Sequence, residues 1–158
     1  MLLAVTSGWV VQEINIRNMT LIEIVKEFIK IAKKQPNINY TFEGDVYKLS
    51  SVPNINYSIF GVTQSSHRQE QDTIVYTLNL FYMDRIKQDE SNLLQVQSNG
   101  IMMLGNIINL FANYNDDVEV DYNINYTTFS HKITEVCGGA YCTVNIRVDN
   151  GIGICGFE

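Results

Sequence analysis

From Val118 to Tyr126 every even-numbered residue is apolar and every odd-numbered one polar. The run from Tyr141 to Val148 repeats the pattern, with Cys142, Val144, Ile146 and Val148 on one side. Successive side chains of a strand point to opposite faces, so each run predicts a strand with one face buried and the other wet. An antiparallel sheet covered on a single face behaves this way; a parallel sheet buried on both sides does not. Such a sheet needs a second layer, and the chain carries two segments able to supply it.

Thr20-Leu-Ile-Glu23 has the capping-box spacing, in which the Thr hydroxyl accepts from a free backbone N–H while the Glu reaches back to the cap. Behind it Leu21, Ile24, Val25, Phe28, Ile29 and Ala32 recur at helical spacing, with Glu23, Lys26, Glu27, Lys30 and Lys34 on the other side. Pro36 ends this helix, because the residue before a proline is driven out of the helical region. A second helix is predicted from Asn92 to about Asn113, its stripe made by Leu93, Val96, Gly100, Ile101, Leu104, Ile107, Ile108 and Phe111. Gly100 and Gly105 cost that helix about 1 kcal/mol each relative to Ala, which implies close approach to a neighbour.

Between the helices, residues 38–43 and 46–50 flank Gly44-Asp45 and predict a hairpin. Residues 55–63 and 73–83 predict two further strands, and the wholly polar 64–72 between them predicts a projecting hairpin tip without an apolar anchor. The fold class is therefore α+β: an antiparallel sheet built from hairpins, with two amphipathic helices packed on one face. Residues 1–19 form an N-terminal arm without strands, and residues 20–158 a single domain. With 158 residues, 46% of them hydrophobic, a single core needs neither a disulfide nor a metal to fold.

Eleven Lys and Arg against seventeen Asp and Glu leave a net charge of -6, which opposes the phosphate neutralisation behind nucleic-acid affinity. Lys26, Lys30, Lys33 and Lys34 form a local basic cluster, where cations suit the C-terminal end of a helix dipole. The first residues lack the basic region of a signal peptide, and no apolar run reaches the roughly 18 residues of a membrane span. Three cysteines, Cys137, Cys142 and Cys155, match no secreted disulfide framework, so synthesis in a reducing cytoplasm is expected.

No motif carries a reaction. His67 lies in the polar tip, and His131 is the only other candidate base, so no nucleophile and base are tied by spacing. Cys137 and Cys142, with His131 and Cys155 nearby, lack zinc-ligand spacing, and Cys142 falls in register with buried positions. Gly138-Gly139 and Gly151-Ile-Gly153 lack the Lys and the helix start of a phosphate loop; turns and close backbone approach account for them. No enzyme activity, cofactor or metal is expected. The termini are apolar instead: Leu2, Leu3, Val5, Trp9, Val10 and Val11 at one end, Ile152, Ile154 and Phe157 at the other. Apolar ends fray unless they cover their own sheet or a neighbour's.

The stretches Tyr76-Thr-Leu-Asn-Leu-Phe-Tyr-Met-Asp-Arg85, Glu90-Ser-Asn-Leu-Leu-Gln-Val-Gln-Ser-Asn-Gly-Ile101 and Phe129 through Cys137-Gly-Gly-Ala-Tyr-Cys142-Thr-Val-Asn-Ile146 resemble neck or tail-connector proteins of crAss-like tailed bacteriophages that infect gut Bacteroidales. The element order from about Thr20 to Ile154 is similar to the tail-terminator fold. That resemblance implies a structural virion protein made in the host cytoplasm, a cyclic homo-oligomer between portal and tail that contacts neighbouring neck, portal or tail proteins. DNA would be only non-specific cargo in its channel, and no membrane would be involved. The family offers no residue motif to carry over. By analogy, Leu2, Leu3, Trp9, Val10, His67, Arg68, Glu70, Ile154 and Phe157 are the expected subunit or ring contacts. A small-molecule- or peptide-binding α+β domain without catalysis is the alternative.

Overall fold

The computed structural model describes residues 3–6, 9–12, 18–132 and 136–149. Strands β1 (Leu3–Thr6) and β2 (Trp9–Gln12) pair antiparallel as a small sheet of their own. The arm is thus not free of strands, a correction to the sequence reading: β-branched residues such as Val5, Val10 and Val11 favour extended backbone.

Helix α1 (Leu21–Lys33) starts at the expected cap, with Glu23 N–H donating to Thr20 Oγ1 and Thr20 N–H donating to Glu23 Oε2 at 2.8 Å. Helix α2 (Leu93–Tyr114) follows Asn92. The main sheet has six strands: β3 (Tyr40–Glu43), β4 (Ile59–Glu70), β5 (Thr73–Arg85), β6 (Val118–Val120), β7 (Tyr126–Lys132) and β8 (Val136–Asp149). Its order is β3-β4-β5-β8, after which β6 and β7 share the far side of β8. All pairings are antiparallel except β3 with β4.

Both helices cover one face of this sheet, as α+β packing requires. Phe60, Val62, Leu78, Leu80, Ala140, Cys142, Val144 and Ile146 face Ile24, Phe28, Leu104, Ile107, Ile108 and Phe111 in one core. The Phe28 and Phe111 rings stack at 4.2 Å and bind the helices to each other. Gly100 meets the sheet closely: an added Cβ would stand 3.1 Å from Ala140 Cβ and from Tyr82 Cδ1. Gly105 makes no such approach, since the nearest atom would be the Tyr126 hydroxyl at 3.4 Å; the shared explanation for the two glycines holds only for Gly100.

Three segments differ from their sequence-based expectation. Residues 46–51 form a 3-10 turn capped by Asp45, not the second strand of a hairpin, and β3 runs beside β4 in parallel. Asp45 decides this locally, because its Oδ1 accepts from Tyr47 N–H and turns the chain away. The expected strand over 55–63 begins only at Ile59. The polar stretch 64–72 is not a projecting loop: Gln64–Glu70 continue β4, bulged between Gln64 and His67, and only Gln71 and Asp72 make the turn. Backbone pairing with β5 suffices to hold a strand that buries no side chain.

The alternating run 118–126 is also divided. It pairs with β8 as β6, leaves the ladder over residues 121–125, and returns as β7. Tyr122, apolar in the pattern, is exposed. Gly138 and Gly139 lie inside β8, not in a turn; a Cβ on Gly139 would fall 1.8 Å from the Tyr82 carbonyl oxygen.

Candidate interaction surface

The face of the sheet away from the helices is divided in two. At one end Ile59, Phe81, Met83 and Cys137 pack with Leu49 of the 3-10 turn. Toward the other end Thr77 and Asn79 of β5 pair with Asn145 and Thr143 of β8, and the next residue of that β5 row, Val75, is fully buried. Thr77 Oγ1 donates to Asn145 Oδ1 at 2.7 Å, and Thr143 Oγ1 donates to Asn79 Oδ1 at 2.8 Å. The same face then carries an ionic row. Glu70 accepts from Arg68 Nε at 2.6 Å and from Arg147 at 2.5 Å. These two guanidinium hydrogen bonds, Arg68 first, hold the Glu70 carboxyl below the usual carboxylate range. Glu70 in turn raises Arg147, with Glu119 and Asp121 adding to the effect.

Of the expected contact residues, three fall on this end. Arg68 and Glu70 belong to the ionic row, whereas His67 lies on the helix side of β4, its ring edge-on to Tyr76 at 5.4 Å. The helices reach Phe60 and Val62 of β4 but leave Gln64–Gln69 exposed, so this end of β4 is open on both faces while Val75 beside it on β5 is buried. Leu3, Trp9 and Val10 belong to the β1–β2 pair. Leu2, Ile154 and Phe157 lie outside the described residues.

A second surface is built by α1 and β3. Lys26, Lys30, Lys33 and Lys34 line an open groove of about 630 Å³ whose other wall is Thr41 and Glu43. The basic cluster thus faces a strand edge instead of merely finishing a helix. At the opposite side of the sheet Asp116, Asp117, Glu119 and Asp121 surround β6. Sequence reasoning passed over Arg147, and it reads Asp116-Asp117 and Glu119/Asp121 only as solvated acids at element edges or on an exposed strand face. Alternation already assigned Arg147 and Glu119 to the polar face; their cross-strand pairing at β6–β8 is what only the register supplies.

Cys142 faces the helices and Cys137 the other side of β8, so the two share neither a disulfide nor an ion. Burial pushes the Cys142 thiol up to about 12. The β7–β8 register sets His131 opposite Cys137, but Cys137 is 2% exposed, and a nucleophilic thiol must be reachable by substrate. Among the described residues no three His, Cys, Asp or Glu side chains group as metal ligands. None of the described helices is long and apolar enough to cross a membrane.

No protein-family model matches the chain, and no curated protein is significantly similar to it.

Proposed function

We propose that this chain is a structural subunit of a tailed-phage virion that closes with copies of itself into a ring of the neck or tail connector, between portal and tail, leaving a channel for DNA. One observation supports the reading above others: a six-stranded sheet whose outermost strands, β3 on one side and β6 and β7 on the other, pair with no further strand among the described residues. A sheet open at both sides offers two different surfaces, and contact between two different surfaces of one chain repeats around an axis. The exposed polar end of β4, with its Glu70 ion pairs, adds a surface suited to wet, rim-like contact with neighbouring rings. The net charge of -6 agrees with a channel wall that lets DNA slide without holding it.

The alternative, a domain that binds a small molecule or peptide without catalysis, draws on the groove beside α1. That groove has a suitable volume, but Ile29 is the single large apolar residue of its lining, whereas ligand pockets are predominantly apolar and enclosed.

Native mass spectrometry and electron microscopy of the purified protein, alone and mixed with portal and tail proteins of a crAss-like phage, test the proposal. Closed rings with a central opening are expected. A chain that stays monomeric in isolation and joins none of those partners overturns it.

A further inference from the structure

We infer that the lysine groove between α1 and β3 receives the acidic β6 edge of a second copy of this chain, so that the sheet continues from subunit to subunit. The inference rests on the ring reading above and names the contact that would build the ring.

The backbone leaves matching edges. Tyr40 N–H donates to Ser58 O at 3.1 Å and Gly44 N–H to Val62 O at 3.0 Å. Strand alternation therefore turns the N–H and C=O of Thr41 and Glu43 away from β4, toward the groove. On the other side Asp121 N–H donates to Asn145 O at 3.0 Å, which leaves the N–H and C=O of Val120 on the outer side of β6. Unpaired edges of this kind are templates for another strand.

Charge selects which edge meets which. Four of the eleven basic residues of an acidic chain line one groove, opposed there by Glu43 and by Glu27, which stands 3.9 Å from Lys30. The β6 edge holds four acids in residues 116–121 and no base within that stretch; Arg147, its cationic neighbour, is engaged by Glu70. Two β3 edges brought together would oppose lysine to lysine, and two β6 edges acid to acid. Only β3 with β6 joins opposite charges, and like-charge contacts suppress the wrong pairings. Both strands are short, four and three residues, which protects a free monomer from indiscriminate edge pairing and leaves the charges to set the affinity.

The test is a charge swap in the full-length protein. Lys30→Glu with Lys33→Glu makes an acidic groove; Asp117→Lys with Glu119→Lys makes a basic edge. All four side chains are exposed, and thermal unfolding reports whether each variant folds. By sedimentation, each variant alone is expected to self-associate at least tenfold more weakly than the natural chain. Combining all four substitutions in one chain regains rings of any size, because every groove again meets an edge of opposite sign. Raising the salt from about 0.01 M to about 1 M, which shortens the screening length from about 30 Å to about 3 Å, weakens the natural ring. Rings that persist in both variants overturn this inference and leave the ring reading standing. Failure of the four-substitution chain to restore assembly also overturns it, and a natural chain that forms no ring even beside its neck partners overturns both.

Discussion

At the residue scale, side-chain size and the ionisation of one thiol give the clearest consequences. The Phe81 ring lies over Gly61, where an added Cβ would stand 1.9 Å from its Cζ, and Gly139 faces the Tyr82 carbonyl. Gly139→Ala therefore forces the β5 and β8 backbones apart and is expected to cost about 3 kcal/mol, whereas Gly61→Ala displaces one ring and costs about 1–3 kcal/mol. Urea unfolding of the two variants orders them. Cys142 supplies a pH dependence. Its thiol titrates at 9.0 when unfolded and near 12 when folded, so above pH 9 the unfolded chain loses a proton that the folded chain keeps. Stability conferred below pH 9 is then lost as the pH rises, at about 1.4 kcal/mol per unit. Tyr82 and Tyr126 are also raised by burial and act in the same direction, but only above their ordinary value of 10.0. Unfolding free energies at pH 9 and 10 should fall more steeply for the natural chain than for Cys142→Ala, although that variant is less stable throughout.

At the element scale, the two helices were legible in the sequence and several strands were not. Helix α1 carries its signal locally, in a capping box and a 3.6-residue stripe, so Thr20→Ala should cost about 1 kcal/mol, read as a drop of about 3 °C in melting temperature. The glycines of α2 separate by context. Gly105→Ala gains helix propensity and meets only an ordinary contact at 3.4 Å, so it should stabilise by up to about 1 kcal/mol. Gly100→Val instead drives side-chain atoms against Ala140 and should destabilise. Gln64–Glu70 could not be identified as strand from composition, because a strand exposed on both faces shows no alternation; its backbone bonds to β5 decide it. The 118–126 run erred in the opposite direction. Its alternation is unbroken, yet Asn123 N–H donates to Asp121 Oδ1 and the chain turns out of the ladder there, a local bond that competes with sheet pairing.

At the scale of the whole molecule, the ring proposal gives the remaining expectation. Deleting residues 64–72 would remove half of the β4–β5 pairing, so the distal end is better probed by His67→Glu with Arg68→Glu, both exposed. That variant, and a chain lacking residues 1–11, should fold with nearly the natural melting temperature yet form rings at least tenfold more weakly, as measured by native mass spectrometry. The sequence by itself determined the α+β class, the two helices, the inward register of Cys142, Val144, Ile146 and Val148, and the absence of any spaced catalytic motif. Periodicity and capping act over a few residues, and a single chain displays them directly. Tertiary structure alone decided that β3 runs parallel to β4, that the alternating run divides, and that Arg68 and Arg147 share Glu70. It also set four lysines and four acids on opposite edges of one sheet. Those outcomes depend on strand order and register, which join residues as far as 77 positions apart and leave no trace in local spacing.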